Sequence, residues 1–179
     1  MKKLFAILLV LSLALAPLCS SLAEDILGQP FPDFTATDTE GNAFTLSEAL
    51  QDHEAVLVNL WASWCPPCEA EFPDLNEVYA AYRDRVAFIA LSCEPDDTLE
   101  VIEDYRQSHG ITFPMGRDED QALIMYTGSD GIPTTVIVDR FGNAAFFQIG
   151  MFENAGTIQA VLDKFLGDAY TETAVVEHP

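Results

Sequence analysis

The chain has 179 residues, enough for one domain with a substantial hydrophobic core. Its 29 acidic and 8 basic side chains give a net charge of −21, which excludes nucleic acids and anionic membrane surfaces as expected partners because both are negatively charged. We expect the excess charge to serve solubility, with an acidic docking surface as the alternative. Neither a repeat nor a low-complexity segment interrupts the sequence.

Residues 1–23 have the pattern of a secretory signal peptide. Two lysines precede an apolar run at residues 4–18, and residues 21–23 supply the small side chains of a cleavage site. The run has about 15 residues, short of the ~20 that span a bilayer, so cleavage is expected rather than a retained anchor. Cys19 would carry the lipid of a lipoprotein, but the residues before it resemble a lipobox poorly. We therefore expect an extracytoplasmic protein, in the periplasm or on the outer face of the cytoplasmic membrane.

The segment after this leader predicts a β-hairpin and a short helix. Residues 24–34 are polar and rich in proline, and extended stretches at 34–36 and 43–46 flank a turn sequence. Ser47 is the predicted N-cap of a helix that runs through Leu50. These elements precede the first buried strand of the domain.

An apolar, β-branched run at residues 56–62 predicts that buried strand, and two cysteines follow it directly. Cys65 and Cys68 have Cys-x-x-Cys spacing, with prolines between them. Pro66 suits the first position of a helix, where its missing N–H costs nothing. Apolar residues then recur at helical intervals: Phe72, Leu75, Val78, Tyr79 and Tyr82. The motif therefore lies where a strand turns into a helix.

This location makes Cys65 a candidate nucleophile. Unpaired N–H groups and the positive end of the dipole at a helix N-terminus stabilise a thiolate. The pKa of a Cys-x-x-Cys thiol placed there falls to roughly 3.5–7.5, against about 8.5 for a free cysteine. Cys68, one turn further and less exposed, can attack a mixed disulfide formed at Cys65. The pattern predicts two-electron thiol–disulfide exchange.

Three other roles for the cysteine pair compete with thiol–disulfide exchange. A zinc site needs about four ligands, but beyond this pair the chain offers only Cys93 and scattered histidines. A purely structural disulfide suits an exported chain but does not require a strand–helix junction. A peroxidase would place its cysteine in a Thr-x-x-Cys setting, whereas Ser63 and Trp64 precede Cys65.

Downstream, apolar strands alternate with helical segments. The predicted strands are 86–92, the short 112–115, 136–139 and 144–150, with a hairpin turn at 140–143. Three helices are predicted in this part of the chain. The first begins at Pro95 and Asp96 and stops at Gly110, the second covers 122–126, and the third closes the domain at 154–166. This order predicts an α/β sandwich on a mixed central sheet. We assign the domain to residues 24–167 and expect the acidic residues 168–179 to form a loose tail.

Three further residues near the motif have a predicted role. Trp61 is expected to pack in the core, and Trp64 to cover the disulfide and present a flat apolar contact. Cys93 ends the second long strand, where burial as a small hydrophobic residue is the simplest expectation. The alternative for Cys93 is a third redox thiol that rearranges with the pair.

The motifs together resemble a known family. Trp64-Cys65-Pro66-Pro67-Cys68 after a buried strand, and an Ile-Pro-Thr-Thr segment at 132–135 that opens another strand, are similar to thioredoxin-like proteins. Glu71-Phe72-Pro73 and the N-terminal hairpin narrow the resemblance to exported oxidoreductases of the TlpA/ResA type. It covers about residues 26–166 and implies a thioredoxin-like three-layer sandwich with an extra N-terminal β-hairpin.

The resemblance also implies roles for residues of the site. Cys65 becomes the nucleophilic cysteine and Cys68 the resolving one, and the two form the redox-active disulfide. Pro133 takes the place of the family's cis-proline, beside which the backbone of Ile132 pairs with an extended substrate. Trp64, Pro66 and Pro67 complete the predicted substrate-binding surface.

Glu71 matches an acidic residue that this subfamily keeps near the cysteines. Partial desolvation would raise the pKa of its carboxyl, which could then exchange protons with Cys68. An ordinary acid in the first turns of a helix is the alternative. Thioredoxin has a buried aspartate at the position of Asn59, and because asparagine cannot titrate, the proton role is expected to fall on Glu71.

We therefore expect an exported thiol–disulfide oxidoreductase, acting as a reductant of disulfide-containing extracytoplasmic proteins, for example apocytochrome c. A membrane electron donor of the thiol-reductase type would supply its electrons. A monomer is expected, and no cofactor or metal. Two other functions are kept as alternatives: a thiol peroxidase on the same fold, and a non-catalytic binding module.

Overall fold

The computed structural model describes residues 26–171, so the predicted signal peptide and most of the predicted tail lie outside it. Its strands are β1 (Thr35–Thr37), β2 (Ala43–Thr45), β3 (Ala55–Trp61), β4 (Val86–Ser92), β5 (Met115–Arg117), β6 (Thr134–Asp139) and β7 (Ala144–Ile149). Its α-helices are α1 (Leu46–Asp52), α2 (Pro66–Tyr82), α3 (Leu99–Ser108), α4 (Ala122–Thr127) and α5 (Ala155–Leu162), and a 3₁₀ turn covers Glu119–Gln121.

The central sheet has five strands in the order β5-β4-β3-β6-β7. Strands β3, β4 and β5 pair in parallel, whereas β6 and β7 join them antiparallel. The predicted N-terminal hairpin is the separate pair β1-β2. The predicted mixed α/β fold is therefore confirmed.

The two faces of the sheet bury two hydrophobic clusters, because alternate residues of each strand point in opposite directions. On β3, Leu57 and Trp61 pack in the same cluster as Phe72 and other apolar residues of α2. Val56, Val58 and Leu60 pack on the other face, with residues of α1 and α4. Helices thus cover both faces, and the result is three layers.

Two predicted helix starts are wrong. Ser47 does not cap α1, because its hydroxyl donates to the carboxylate of Asp33 at 2.8 Å and Thr45 occupies the cap position. Helix α3 begins at Leu99 rather than at Pro95, because the hydroxyl of Thr98 accepts the N–H of Val101 and so caps it there. Residues 95–97 therefore belong to the loop before α3.

The chain after α5 is held more firmly than expected. The last helix ends at Leu162, four residues earlier than predicted. Tyr170 lies within the predicted loose tail, yet it is buried and its hydroxyl donates to Asp139 at 2.7 Å. Its ring also packs edge-on against Phe165. The folded domain therefore extends at least to Tyr170.

Within residues 26–171, no helix combines the length and the apolar composition needed to cross a membrane.

Candidate active site

The two motif cysteines are joined at the N-terminus of α2, as the strand–helix junction predicts. Cys65 is the N-cap residue and Pro66 is the first helical residue. The Sγ atoms of Cys65 and Cys68 are 2.02 Å apart, and Cys65 Sγ accepts the backbone N–H of Cys68 at 3.3 Å. Cys65 is 3% exposed and Cys68 0%, so of the two cysteines only Cys65 has accessible surface. This is the order expected of a nucleophile and a resolving thiol.

The proline loop lies against this disulfide. The peptide bond between Ile132 and Pro133 is cis, as the family resemblance implies. The carbonyl oxygen of Ile132 lies 3.8 Å from Cys65 Sγ. Ile132 is half-buried and Pro133 buried. The fold therefore brings together two chain segments that are 67 residues apart in sequence.

Exposed apolar side chains lie beside the disulfide. Trp64 is 64% exposed, and its indole N–H donates to Glu94 at 2.7 Å. Pro66 and Pro67 are also exposed, beside Cys65. The predicted substrate-binding residues thus lie around the disulfide, with Trp64 held by a hydrogen bond at its edge.

Trp61 is fully buried, as predicted. Its ring contacts Phe72 edge-on, with the centroids 5.2 Å apart, and lies 4.8 Å from the ring of Tyr105. Phe72 belongs to α2, so this packing holds the N-terminal half of that helix against the sheet.

Glu71 is fully buried beneath the motif. Its Oε1 accepts the backbone N–H of Phe152 at 2.8 Å, and its Oε2 accepts a hydrogen bond from the amide of Asn59 at 3.0 Å. Burial raises the pKa of Glu71 to about 7, since desolvation penalises the charged carboxylate more than these two hydrogen bonds stabilise it. The nearby charge of Asp74 adds to the increase. Glu71 can therefore gain and lose a proton near neutral pH.

Asn59 connects this carboxylate to the sheet. It lies on the face of β3 that α2 covers, and its Nδ2 also donates to the hydroxyl of Thr135 at 3.1 Å. An asparagine amide does not titrate. Within this buried pair, Glu71 is the group that titrates.

Asp97 is a buried residue that the sequence analysis missed. Its carboxylate accepts the backbone N–H of Ser63 at 2.9 Å, the hydroxyl of Ser63 at 2.6 Å and the hydroxyl of Ser92 at 2.5 Å. It thereby fixes the turn that leads from β3 into the motif. The sequence held one signal for this contact. In a sheet where β3 and β4 are parallel, the residues that follow their carboxyl ends, here Ser63 and Asp97, meet at the same edge of the sheet.

The backbone N–H of Phe152 was also missed. A main-chain donor can be supplied by any residue except proline, so the sequence carries no signal for it. The contact is formed by the loop after β7, which reaches under the start of α2.

Cys93 is a free, half-buried cysteine near the motif. Its thiol donates to the carbonyl of Trp61 at 3.3 Å. Burial, together with the negative charge of Asp118, raises the pKa of Cys93 to about 11. A thiol with such a pKa is not activated for attack at neutral pH. Among residues 26–171, no three His, Cys, Asp or Glu side chains lie close enough together to hold a metal ion.

Comparison with known proteins agrees with this geometry. Residues 27–146 match the model of the AhpC/TSA family. The chain is 33% identical over 125 residues to the thiol-disulfide oxidoreductase ResA of Bacillus thuringiensis (strain Al Hakam), an alignment that covers 69% of this chain and 70% of the relative.

Two solved structures extend the comparison. A thiol:disulfide interchange protein of the thioredoxin family from Chlorobium tepidum TLS is 28% identical, with a TM-score of 0.64, over 77% of this chain and 96% of its own. A thio-disulfide isomerase from Thermus thermophilus is 30% identical, with a TM-score of 0.60, over 76% and 94% of the two chains. The joined cysteines and the cis-proline loop therefore occur on a fold shared with proteins of thiol–disulfide chemistry.

Proposed function

Because the chain belongs to the AhpC/TSA family and is a thiol-disulfide oxidoreductase with the thioredoxin fold, we propose that it reduces disulfides of other proteins outside the cytoplasm. The observation that carries this proposal is the position of Cys65 as the N-cap of α2, bonded to the buried Cys68, with Glu71, whose pKa is about 7, three residues after Cys68 on the same helix. Nucleophile, resolving thiol and proton partner are then on one helix.

The reaction proceeds in two exchange steps. In the reduced protein, the Cys65 thiolate attacks one sulfur of the substrate disulfide, forms a mixed disulfide and releases the other substrate sulfur as a thiolate. Cys68 then loses its proton and attacks the sulfur of Cys65, which re-forms the internal disulfide and releases the second substrate thiolate. The substrate gains two electrons, and the enzyme dithiol loses them. A membrane thiol reductase would return two electrons to the disulfide.

Glu71 supplies the base for the second step. Cys68 is fully buried and must lose its proton before it attacks, and Glu71, three residues further along α2, is a buried carboxyl with a pKa of about 7. Replacing it by Glu71→Gln keeps the size of the side chain and removes the proton site. We expect release of substrate from the mixed disulfide to slow by about 10²-fold and its rise with pH through about 7 to disappear.

The charges around the motif support the direction of electron flow. Strong oxidants of this fold class stabilise their reduced, thiolate form. Here the carboxylates of Asp97 and Glu94 bind Ser63 and Trp64, immediately before Cys65, and Glu69 lies in the first turn of α2. Negative charge at these positions opposes a thiolate and so favours the disulfide. A protein that favours its own disulfide is a reductant.

The reduction potential of the Cys65–Cys68 pair tests this direction. Equilibration in dithiothreitol redox buffers, followed by alkylation of the free thiols, should give a potential more negative than about −230 mV. A value near the −120 mV or so of strong periplasmic oxidants would reverse the assignment.

Substrate turnover tests the activity itself. The reduced protein should reduce insulin, and an oxidised peptide with the Cys-x-x-Cys-His sequence of a haem-attachment site would probe a role in cytochrome c maturation. Cys65→Ser should abolish both reactions. Consumption of hydrogen peroxide that survives Cys68→Ser would instead identify a thiol peroxidase. Undiminished partner binding by a variant without either cysteine, together with no insulin reduction by the wild type, would identify a binding module.

Export is supported by the sequence of residues 1–23, which lie outside the described part of the chain. Expression of the full chain in a bacterial host, with fractionation and intact-mass analysis, tests it. We expect a periplasmic product whose chain begins near Glu24. A full-length product confined to the cytosol would refute export and leave the chemistry intact.

A further inference from the structure

A cleft of about 300 Å³ lies beside the disulfide, and we name it the Trp64 cleft. Its lining includes the apolar side chains of Trp64, Ile124 and Ile132, the thiol of Cys93 and the acidic side chains of Glu94 and Asp130. Two of its lining residues place the cleft next to the disulfide. Trp64 directly precedes Cys65, and the carbonyl oxygen of Ile132 lies 3.8 Å from Cys65 Sγ.

We infer that the Trp64 cleft is a specificity subsite, which receives one apolar side chain of the substrate and selects substrates with a basic residue close to it. This inference rests on the proposed reduction of protein disulfides. The occupant is therefore a segment of the protein or peptide that carries the target cysteine.

The size and the lining of the cleft determine the apolar part of the inference. Sites for small organic ligands have volumes of roughly 300–1,000 Å³, so this cleft is at the lower limit and suits a single leucine, methionine or phenylalanine side chain. Trp64 is 64% exposed on one wall, and an apolar side chain inserted there would remove part of its ring from water.

The charge of the cleft determines the basic part. Glu94 holds the indole of Trp64 through its Oε2, at 2.7 Å, so its negative charge is fixed at the edge of the apolar wall. Asp130 is exposed and also lines the cleft. Among the described residues that line the cleft, none is lysine or arginine. A lysine or arginine of the substrate would be attracted to this edge, and an acidic residue repelled.

The position of the apolar residue relative to the target cysteine also follows. A substrate segment that runs extended past Ile132 directs alternate side chains to the same side, at a spacing of about 6.6 Å for two residues. With the target cysteine bonded to Cys65, the residue two positions away points to the same side and can enter the cleft.

A set of symmetric peptides tests the inference with the reduced Cys68→Ser protein, in which the mixed disulfide at Cys65 is not resolved. Each peptide has a central cysteine in a mixed disulfide with 2-mercaptoethanol and glycine on both sides of it. Leucine or alanine occupies the second position away, and lysine or glutamate the third. The measured quantity is the second-order rate constant for formation of the mixed disulfide between the peptide and Cys65, with Cys68→Ser as the trapping background.

We expect leucine peptides to react about 10-fold faster than alanine peptides, as for a pocket that accepts an apolar side chain. Lysine peptides should react about 3- to 10-fold faster than glutamate peptides at low salt, a preference that shrinks as ionic strength rises. Ile124→Ala should weaken the leucine preference. The double variant Glu94→Gln, Asp130→Asn should remove the lysine preference.

The matched control is the double variant Glu48→Gln, Glu77→Gln, which removes two exposed acidic side chains from α1 and α2. It should keep the full lysine preference. Loss of that preference in the control, or its survival without Glu94 and Asp130, would assign it to the net charge and refute the charge selection. Equal rates for leucine and alanine peptides would refute the apolar subsite and leave the proposed function standing. No reaction with any peptide or with insulin would refute both.

Discussion

The side-chain amide of Asn59 on β3 donates a hydrogen bond to the carboxylate of Glu71 on α2, at 3.0 Å, inside the core. Both residues are fully buried, and the backbone N–H of Phe152 donates to the other carboxylate oxygen. The carboxyl is thus held from the sheet on one side and from the loop after β7 on the other. Its position in the core is set by packing and hydrogen bonding, while its pKa of about 7 is set chiefly by burial.

The first prediction concerns the pH dependence of stability. Glu71 has a pKa of 4.5 in an unfolded chain and about 7 when folded, so between these values the folded state keeps a proton that the unfolded state releases. Its contribution to stability is therefore complete below pH 4.5 and falls as pH rises to 7, by about 3 kcal/mol in total. Glu71→Gln should lack this decrease. Urea unfolding of the oxidised proteins at pH 5 and pH 8 measures it.

The control for this prediction is Glu77→Gln, an exposed position on the same helix. This variant should reproduce the wild-type difference between the two pH values. If Glu71→Gln had the same pH dependence of stability as the wild type, the pKa of Glu71 would not differ between the folded and the unfolded chain.

A second prediction follows from the neutral amide beside Glu71. Asn59→Asp would place a second carboxyl within hydrogen-bonding distance of the first, and two like charges in a buried site do not ionise together. We expect the pH at which the loss of stability is complete to move up by about one unit. The same unfolding series measures the shift, and Asn59→Ala separates the effect of charge from the loss of the hydrogen bond. An unchanged profile in Asn59→Asp would contradict the prediction.

The third prediction concerns Asp97, which holds the turn before the motif. Asp97→Asn removes a charge that accepts three hydrogen bonds from Ser63 and Ser92, so we expect a loss of about 2–3 kcal/mol in the free energy of unfolding. Insulin reduction should slow as well, because the turn positions Cys65. The neighbouring variant Asp96→Asn, at an exposed residue, should leave both quantities unchanged. Equal effects of Asp97→Asn and Asp96→Asn would contradict the conclusion that Asp97 holds the turn before the motif.

The local parts of this site were predictable from sequence, because their signals lie within a few residues of one another. The apolar run, the Cys-x-x-Cys spacing and Pro66 together placed the motif at a strand–helix junction. The position of Glu71 followed from its distance to Cys68 along one helix. Pro133 could be assigned only through the family resemblance, since a cis bond has no signature in the residues themselves.

The remainder depends on contacts between distant segments. Phe152 is 81 residues from Glu71, and it contributes a backbone group that no residue type identifies. Asp97 was hidden because the residues before it were interpreted as a helix start, whereas the cap is Thr98. Ser47 resembles an N-cap locally, but a partner 14 residues earlier, Asp33, takes its hydroxyl. For Glu71 and Ser47 a contact between distant segments decided the outcome, whereas at α3 the local cap at Thr98 did so.

The fourth prediction concerns the end of the domain. The hydroxyl of Tyr170 donates to Asp139, whose other carboxylate oxygen accepts the backbone N–H groups of Phe141 and Asn143 in the hairpin turn. Tyr170→Phe should reduce stability by about 1–3 kcal/mol, since it removes a buried, charge-assisted hydrogen bond and keeps the ring. Tyr170→Ala should cost more, because it also removes the packing against Phe165. Thermal unfolding compares the two variants. If Tyr170→Ala were as stable as the wild type, the folded domain would end before residue 168, as the sequence predicted.

The fifth prediction separates Cys93 from the redox chemistry. Because the pKa of Cys93 is raised from 9.0 to about 11, its thiolate is about 100-fold less abundant at pH 8 than that of an unperturbed cysteine. Alkylation of Cys93 by iodoacetamide in the folded protein should therefore be on the order of 100-fold slower than in urea, and Cys93→Ala should still reduce insulin. Peptide mapping of the oxidised protein without reductant should show a Cys65–Cys68 linkage and a free Cys93. A Cys93 linkage to either motif cysteine, or loss of insulin reduction in Cys93→Ala, would instead establish a third redox thiol.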